Sequence, residues 1–201
     1  MMTNHWHERF SDERYMYGKE PNAFIASHGD RLPKGKVLCI AEGEGRNAVH
    51  LAKLGYDVTA WDYAQSGLDK TKRLAEENGV NVTTELHDLA DVEWGTDEWD
   101  AIVHVFGHFP RELQERTLAG IRQALKPGGY YMSELYTEEQ LAYRTGGPGS
   151  LEMLYDPKLI LQTFPTDFIH HFYIGEVYRK EGLLHEGDSH VVQTMIEKRD
   201  R

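Results

Sequence analysis

The chain has 201 residues, 40% of them hydrophobic, and a formal net charge of -11. This length suits one domain with a full hydrophobic core, and the composition argues against disorder. Because nucleic acid and anionic membrane surfaces attract basic proteins, the acidic balance makes neither an expected partner.

The first half of the chain alternates short apolar runs with amphipathic stretches. Strands are predicted at residues 37–41, 58–62, 80–86 and 101–106. Helices are predicted between them, at residues 46–54 and from about Ser66 to Gly79, where Ser66 and Asp69 would form a capping box. Such alternation indicates a mainly parallel sheet that is covered by helices on both faces.

The second half begins with the same pattern and then changes. A helix is predicted to start at Pro110 and to end at residues 126–129, Lys-Pro-Gly-Gly, ahead of a strand at 130–135. A short helix capped by Thr137, a flexible loop at 146–150 and a helix from Asp156-Pro157 to residue 164 are then expected. Residues 168–178 and 190–197 are predicted to form two long strands.

The predicted fold follows from these elements. It is an α/β, doubly wound, Rossmann-like sheet of seven strands, mostly parallel, with helices on both faces and a C-terminal antiparallel strand pair. Residues 1–201 are expected to form a single domain. Its parts are an aromatic N-terminal segment (1–35), a cofactor-binding core (36–136), and substrate-side helices with the terminal strand pair (137–201).

Several classes of protein are excluded or disfavoured by what the sequence lacks. No apolar run approaches the roughly 20 residues that span a bilayer, and the first residues lack a basic-then-apolar leader, so a cytoplasmic protein is expected. Cys39 is the single cysteine, which excludes an internal disulfide, and its apolar surroundings predict a buried, inert thiol. No metal site is predicted, because no clustered Cys/His spacing occurs.

The most informative segment is a glycine-rich turn between the first strand and the first helix of the core. Residues 43–48 read Gly-Glu-Gly-Arg-Asn-Ala. Without a Cβ, Gly43 and Gly45 can adopt unusual dihedrals and let a ligand lie against the backbone. The free N–H groups at the helix start are expected to favour a negatively charged ligand group.

Each of the next predicted strands also ends in residues that suit a ligand. Asp62 could accept both hydroxyls of a ribose diol, and Asp88-Leu89 offers an acceptor for an exocyclic amine beside an apolar wall. Residues 105–108 end the fourth strand where a cofactor would meet its substrate. The alternative to ligand binding is a structural role, in which Asp62 is an acid at a helix N-terminus and Asp88 is an ordinary turn residue.

Together these motifs resemble the class I S-adenosylmethionine-dependent methyltransferases over residues 37–135. The turn at 126–129 is the more specific element, since dinucleotide dehydrogenases do not usually carry it. Within the family, residues 17–22 and 43–48 are most similar to small bacterial methyltransferases of the tellurite-resistance type. One departure is that most of the family has an acid where Cys39 stands, so this role is expected to have moved to Glu42.

The resemblance implies S-adenosylmethionine as the cofactor, with S-adenosylhomocysteine as product. It places the ribose on Asp62, the adenine against Tyr63 with its amine near Asp88, and the methionine end along Gly43 and Gly45. The expected cofactor-binding residues are Tyr17, Asn22, Glu42, Gly43, Gly45, Asn47, Asp62, Tyr63, Asp88, Leu89, Val105 and Phe106.

His108 is the best-placed candidate for a catalytic base or substrate contact, because imidazole titrates near neutral pH. Other histidines lie in the terminal strands, near the expected substrate mouth: His170, His171, His185 and His190. The N-terminal aromatics either close over the cofactor as a lid or pack helices on the sheet; they are Trp6, Phe10, Tyr15, Tyr17 and Phe24. Arg144 and the 146–150 loop form either a substrate gate or an ordinary surface loop.

The predicted activity is methyl transfer to a small-molecule acceptor, by resemblance a thiol or a chalcogen oxyanion. A nicotinamide-dependent oxidoreductase is the main alternative, because it would use the same turn and Asp62. A third possible function is that of a non-catalytic module that binds S-adenosylmethionine.

Overall fold

The computed structural model describes residues 5–199, within which seven strands form one sheet in the order β3-β2-β1-β4-β5-β7-β6. The strands are β1 (Lys36–Ile40), β2 (Asp57–Asp62), β3 (Thr83–Leu86), β4 (Trp99–Val105), β5 (Leu125–Tyr136), β6 (Phe168–Glu181) and β7 (His185–Glu197). The first five are parallel, and β7 runs antiparallel between β5 and β6. The predicted fold class is therefore confirmed.

Six α-helices accompany the sheet in the described residues. They are α1 (His5–Phe10), α2 (Ala23–His28), α3 (Arg46–Lys53), α4 (Gln65–Glu77), α5 (Arg111–Ala124) and α6 (Pro157–Thr163), with short 3₁₀ turns at Gly29–Arg31, Glu138–Ala142 and Leu151–Met153. Among residues 5–199, no helix combines the length and apolar character needed to cross a membrane.

The core strands are apolar because both of their faces are covered. Successive residues of β1 point to opposite faces, so Leu38 joins one buried cluster while Val37 and Cys39 join the other. Cys39 is fully buried, and burial raises the pKa of its thiol well above the usual value. The environment is that of the inert thiol expected from the sequence.

The strand order reverses between β1 and β4, and a crevice opens at the carboxyl ends of these strands. Such a reversal is where open α/β sheets bind ligands. The residue after each strand has a positive φ although neither is glycine: Ala41 has 47° and Phe106 has 53°. Because side chains strain the left-handed region, these two positions mark the crevice as a place where local backbone strain is tolerated.

Some predicted boundaries were wrong, and local hydrogen bonds explain why. The capping box at Ser66 does not form: α4 starts at Gln65, Asp62 Oδ1 accepts from the Ala64 N–H, and Ser66 Oγ donates to the His7 carbonyl. Residues 126–129 belong to β5, since the Gly128 N–H donates to the Lys198 carbonyl. β6 continues to Glu181 and β7 begins at His185, so both strands are longer than predicted, because an antiparallel pair needs only a tight turn between its strands.

At Gly45 the glycine-rich turn has no room for a Cβ atom. Its φ is 92°, and an added Cβ would lie 2.6 Å from Thr71 Oγ1 and 2.7 Å from Thr71 Cα. Gly55 has a similar φ of 88°, but nothing lies within 4 Å of an added Cβ. Both alanine variants carry the conformational strain, and only Gly45→Ala adds overpacking.

We therefore expect Gly45→Ala to lower the free energy of unfolding by about 2 kcal/mol more than Gly55→Ala, measured in urea. Equal losses in the two variants would show that Thr71 does not limit the approach of α4 to the turn.

Candidate active site

A cavity of about 490 Å³ lies at the carboxyl ends of β1, β2 and β4 and is bordered by α1 and the β6–β7 turn. Most of the residues predicted to bind the cofactor or substrate line it: Tyr17, Glu42, Gly43, Asn47, Asp62, Tyr63, Val105, Phe106 and His108. The sequence motifs thus converge on one volume that is large enough for a ligand.

Glu42 occupies the start of α3. Its Oε1 accepts hydrogen bonds from the N–H groups of Asn47 at 3.0 Å and Ala48 at 2.8 Å. These are the N–H groups that were expected to be free for a negatively charged ligand, and that expectation was wrong, because the chain supplies its own carboxylate there. Burial raises the pKa of Glu42 to about 7, against the opposing effect of those N–H donors.

Asp62 fixes the turn to the end of β2. Its Oδ2 accepts from the Gly43 N–H and its Oδ1 from the Ala64 N–H, each at 2.8 Å. The residue is 6% exposed, and burial raises the pKa of its carboxyl although these hydrogen bonds oppose the shift. The Tyr63 N–H is a third backbone donor to this carboxylate, which lines the cavity. The neighbouring Tyr63 lines the cavity with a ring that is largely exposed.

Helix α1 covers the turn from the opposite side. The Phe10 ring packs so closely on Gly43 and Gly67 that an added Cβ would approach it to 3.1 Å and 2.9 Å. Trp6 and Tyr17 pack beside Phe10, and all three line the cavity. Of the five aromatics considered for a lid, the other two lie elsewhere: Tyr15 beside α4 and Phe24 in the core.

A buried ion pair ties this N-terminal segment to the turn. Lys70 Nζ lies 2.6 Å from Glu44 Oε1, and the two side chains are 1% and 2% exposed. Glu44 Oε2 also accepts from the Tyr17 N–H, and Lys70 donates to the Arg14 carbonyl. Sequence reasoning missed both residues, because a lysine in an amphipathic helix normally points to solvent.

A second buried network joins the terminal strands to the core. Arg46 pairs with Glu181 at 2.6 Å, and Arg179 bonds to both Glu134 and Glu181. Asn22 is fully buried beside this network and donates from Nδ2 to Glu134 Oε1 at 2.9 Å. Its own N–H binds Asn47 Oδ1, and its side chain caps α2.

Four of the predicted cofactor-binding residues do not line the cavity. Asn22 belongs to the buried network, and Gly45 packs on Thr71. Asp88 is exposed and accepts from the Ala90 N–H, while Leu89 is buried in the core beneath it. The roles assigned to these residues from the sequence remain predictions.

His108 lies at the cavity wall with both ring nitrogens engaged by the backbone. Nδ1 is 2.9 Å from the Met153 carbonyl, and Nε2 accepts from the Tyr136 N–H at 3.4 Å. Burial lowers the pKa of His108 to about 4, so its ring is neutral near pH 7. Its catalytic role remains a prediction.

Tyr136 and His185 also line the cavity; His185 was one of four histidines expected near the substrate mouth, whereas Tyr136 was not predicted to lie there. His185 is the only one of the four terminal-strand histidines that reaches the cavity lining, and the Gly146–Pro148 part of the flexible loop borders the same space. No pattern distinguishes His185 in the sequence, because its placement depends on where the β6–β7 turn falls.

Comparison with known proteins agrees with this geometry. Residues 37–129 match a family model described as a methyltransferase domain. A probable S-adenosyl-L-methionine-dependent methyltransferase, TehB of Haemophilus influenzae, is 31% identical over 115 residues, which cover 52% of this chain and 39% of TehB. An uncharacterized methyltransferase of Bacillus subtilis, YbaJ, is 37% identical over 70 residues, 34% of this chain and 28% of YbaJ. The chain therefore matches well under half the length of these curated relatives.

Solved structures share the fold. The structure of TehB from Haemophilus influenzae superposes with a TM-score of 0.71 at 19% identity, covering 89% of this chain and 63% of that one. A protein studied for the conversion of a disulfide bond into a thioacetal group during echinomycin biosynthesis gives 0.75 at 18% identity, covering 94% and 86%. These structures show the shared fold, and the resemblance to S-adenosylmethionine-dependent methyltransferases is confirmed by the domain model and the sequence relatives.

Proposed function

We propose that this methyltransferase domain moves a methyl group from S-adenosylmethionine to a small molecule in the cytoplasm. The observation that carries the proposal is the carboxylate of Glu42 on the start of α3, facing the same cavity as Asp62. S-adenosylmethionine carries a sulfonium and an ammonium against one carboxylate. Three acids line the cavity, and because Glu44 is paired with Lys70, Glu42 and Asp62 are the two that suit that net positive charge.

The residues around the cavity fit the parts of this cofactor. Asp62 would accept from the ribose diol at the cavity wall, and Tyr63 would offer an aromatic face for the adenine. Glu42 would hold the ammonium group beside the turn. When bound, the cofactor supplies a methyl group on a positively charged sulfur, which is an activated leaving group.

The chain's own contribution is to align the reactants and to exclude water. Trp6, Phe10 and Tyr17 form an aromatic cover over the turn, and we propose that α1 closes over the bound cofactor. Holding the reacting groups in line supplies proximity and alignment, which can be worth several kcal/mol, up to about 7–11 kcal/mol in favourable cases.

Glu42 also weighs against a nicotinamide cofactor. In dinucleotide-binding folds the pyrophosphate rests on the N–H groups at the start of the corresponding helix. Here those of Asn47 and Ala48 already bind Glu42, whose ionised carboxylate would repel a phosphate. This contact favours the sulfonium cofactor over the oxidoreductase alternative.

For the acceptor we propose a soft nucleophile, a thiol or a chalcogen oxyanion. The support is the similarity to TehB and the fold shared with the protein of the disulfide-to-thioacetal conversion. The test is a screen for S-adenosylhomocysteine formation across thiols, amines, hydroxyls and metalloid oxyanions. Turnover of one class supports an enzyme, whereas binding of S-adenosylmethionine with no turnover across the panel would indicate a binding module.

The raised pKa of Glu42 predicts a pH-dependent affinity. With a pKa of about 7 in the folded protein, the carboxylate becomes ionised as the pH rises from 6 to 7.5. A cationic ligand prefers the ionised form, so S-adenosylmethionine should bind about tenfold more tightly at pH 7.5 than at pH 6.

Glu42→Gln is the matched control, since the amide oxygen can still cap α3 while the charge is lost. Calorimetric titrations should show that this variant binds S-adenosylmethionine more weakly than wild type and that its affinity changes much less with pH. An equally steep dependence would assign the titration to another group.

A further inference from the structure

Two buried polar atoms of the cavity lining make no hydrogen bond of 3.5 Å or less within the described residues: the Tyr136 hydroxyl, which lies beside Ser189, and Nδ1 of His185. Tyr136 is fully buried and His185 is 5% exposed, and both residues line the cavity. Native structures rarely leave a buried polar atom unsatisfied without a reason, because it has lost its hydrogen bonds to water. A ligand that bonds to the Tyr136 hydroxyl is such a reason.

The two side chains border a common position at Gly146. A Cβ added to this glycine would lie 3.0 Å from Tyr136 Oη, 2.9 Å from His185 Cδ2 and 3.5 Å from His185 Nε2. The Tyr136 hydroxyl and the Cδ2–Nε2 edge of His185 therefore approach one point, which the backbone of the loop covers, whereas the unpartnered Nδ1 lies on the opposite edge of the imidazole ring. One small group at that point would reach the Tyr136 hydroxyl and Nε2 of His185.

Packing holds both rings in place. Tyr136 stacks on Phe106 with centroids 4.4 Å apart, and on its other side His108 lies at 5.6 Å. His185 meets the edge of Phe106 at 5.0 Å and lies 4.8 Å from Tyr17. Side chains fixed in this way need little further ordering to bind a ligand.

The loop that covers this pair separates the cavity from a second, more open one. Residues 146–148 and Leu184 line both the inner cavity and an outer cavity of about 740 Å³ beside Arg144. A molecule that entered through the outer cavity would first meet the loop at Gly146 and then Tyr136 and His185. The pair would therefore lie directly behind the loop for a ligand in the outer cavity.

We propose that Tyr136 and His185 seat the nucleophilic atom of the methyl acceptor, and that this acceptor is an uncharged group still carrying its proton, such as a thiol or a hydroxyl. The inference rests on the proposed methyl transfer. A tyrosine hydroxyl donates a hydrogen bond, and a neutral imidazole offers one unprotonated nitrogen that accepts one. A protonated nucleophile has a lone pair that accepts from the Tyr136 hydroxyl and a hydrogen that it donates to the imidazole of His185.

An oxyanion fits the same seat poorly. It brings negative charge, and the nearby guanidinium groups of Arg46 and Arg179 are already paired with glutamates, although Nε of Arg179 has no hydrogen-bond partner in the described residues. Burial and these two arginines lower the pKa of His185 to about 3, so its ring offers no positive charge near pH 7. Of the two soft acceptors considered above, the pair favours the thiol.

The proton balance is consistent with this assignment. The acceptor atom gains the methyl group, the electron pair of the broken methyl–sulfur bond stays on the cofactor sulfur, and the acceptor proton passes to the unprotonated nitrogen of His185 and then to water. A methylated atom that still carries its proton is strongly acidic, so a weakly basic imidazole suffices. His108 is less suited to this step, because both of its nitrogens bind the backbone.

The test uses Tyr136→Phe and His185→Phe, which keep an aromatic ring at each position, with Tyr130→Phe as control. Tyr130 lies on the same strand, but its hydroxyl binds Glu197 and it does not line the cavity. Benzenethiol is titrated into each protein saturated with S-adenosylhomocysteine, and turnover of benzenethiol, phenol, selenite and tellurite is measured with S-adenosylmethionine.

We expect the two cavity variants to weaken benzenethiol binding and to lower its kcat/KM by about tenfold, the effect of one lost hydrogen bond of about 1.4 kcal/mol. Affinity for S-adenosylhomocysteine should stay within about twofold in every variant, and Tyr130→Phe should behave as wild type. Preferred turnover of selenite or tellurite would refute the proposed acceptor site, as would variants that bind benzenethiol like wild type. Either result would leave the proposed methyltransferase activity unaffected. A protein that binds neither cofactor nor product would instead refute the proposed function.

Discussion

Replacing Lys70 with methionine should lower the free energy of unfolding by about 3–5 kcal/mol, because it leaves the Glu44 carboxylate buried without its counter-charge. Methionine fills nearly the same volume, so the loss reports charge and hydrogen bonding. Glu44 is 2% exposed, and its remaining polar contact is the Tyr17 N–H at 3.2 Å. We expect the N-terminal segment to loosen together with the fold.

Two comparisons isolate the cause, both by urea unfolding. The double variant Lys70→Met/Glu44→Gln removes both charges and should recover most of the lost stability, since no unpaired charge stays buried. Lys19→Met breaks a 2.5 Å pair with Glu77 in which both side chains are about half exposed, and it should cost less than about 1 kcal/mol. Equal losses for Lys70→Met and Lys19→Met would contradict the burial argument.

Replacing Asp62 with alanine should weaken S-adenosylmethionine binding by about 1–3 kcal/mol, the range for a charge-assisted hydrogen bond, or roughly 5- to 150-fold. Asp62 is expected to contact the ribose directly and also holds the Gly43 N–H at 2.8 Å. The variant therefore removes a ligand contact and releases the turn on which the methionine end would rest.

Asp57→Ala is the matched control, because Asp57 is exposed at the opposite end of the same strand. Calorimetry should find its affinity unchanged within about twofold. If Asp62→Ala binds S-adenosylmethionine as tightly as wild type, Asp62 does not belong to the ribose site.

The parts of the fold that the sequence predicted are those governed by local rules. Strands β1, β2 and β4 are apolar over consecutive residues because helices cover both faces of the sheet. Glycines in the turn and an acid at the end of β2 also act locally, so their motifs place Gly43 and Asp62 in the cavity. The length of β5 was missed because its first residues are held by a pairing with Lys198, far away in the chain.

The ion pairs around the site depend on contacts between distant segments. Arg46 and Glu181 are 135 positions apart, and nothing near either residue in the sequence indicates the partner. Helix α1 has only six residues, too few for an isolated helix to be stable, so packing on Gly43 and Gly67 sustains it. The Tyr136–His185 pair likewise requires β5, the loop and the β6–β7 turn to be in place first.

The arrangement at α3 has a wider consequence for ligand choice. A glycine-rich turn ahead of a helix is a general anion site, and the residue that follows the strand decides whether it remains one. Here Glu42 satisfies the helix start and turns the site toward cations. The same backbone geometry thus serves opposite ligand charges through one side chain.

The most direct test of this account is a pair of calorimetric titrations of the wild-type protein at pH 7.5, one with S-adenosylmethionine and one with NAD. We expect S-adenosylmethionine to bind at one site per chain and NAD to give no measurable heat of binding. Tight binding of NAD without uptake of S-adenosylmethionine would contradict the assignment of the Glu42 and Asp62 cavity to a sulfonium cofactor.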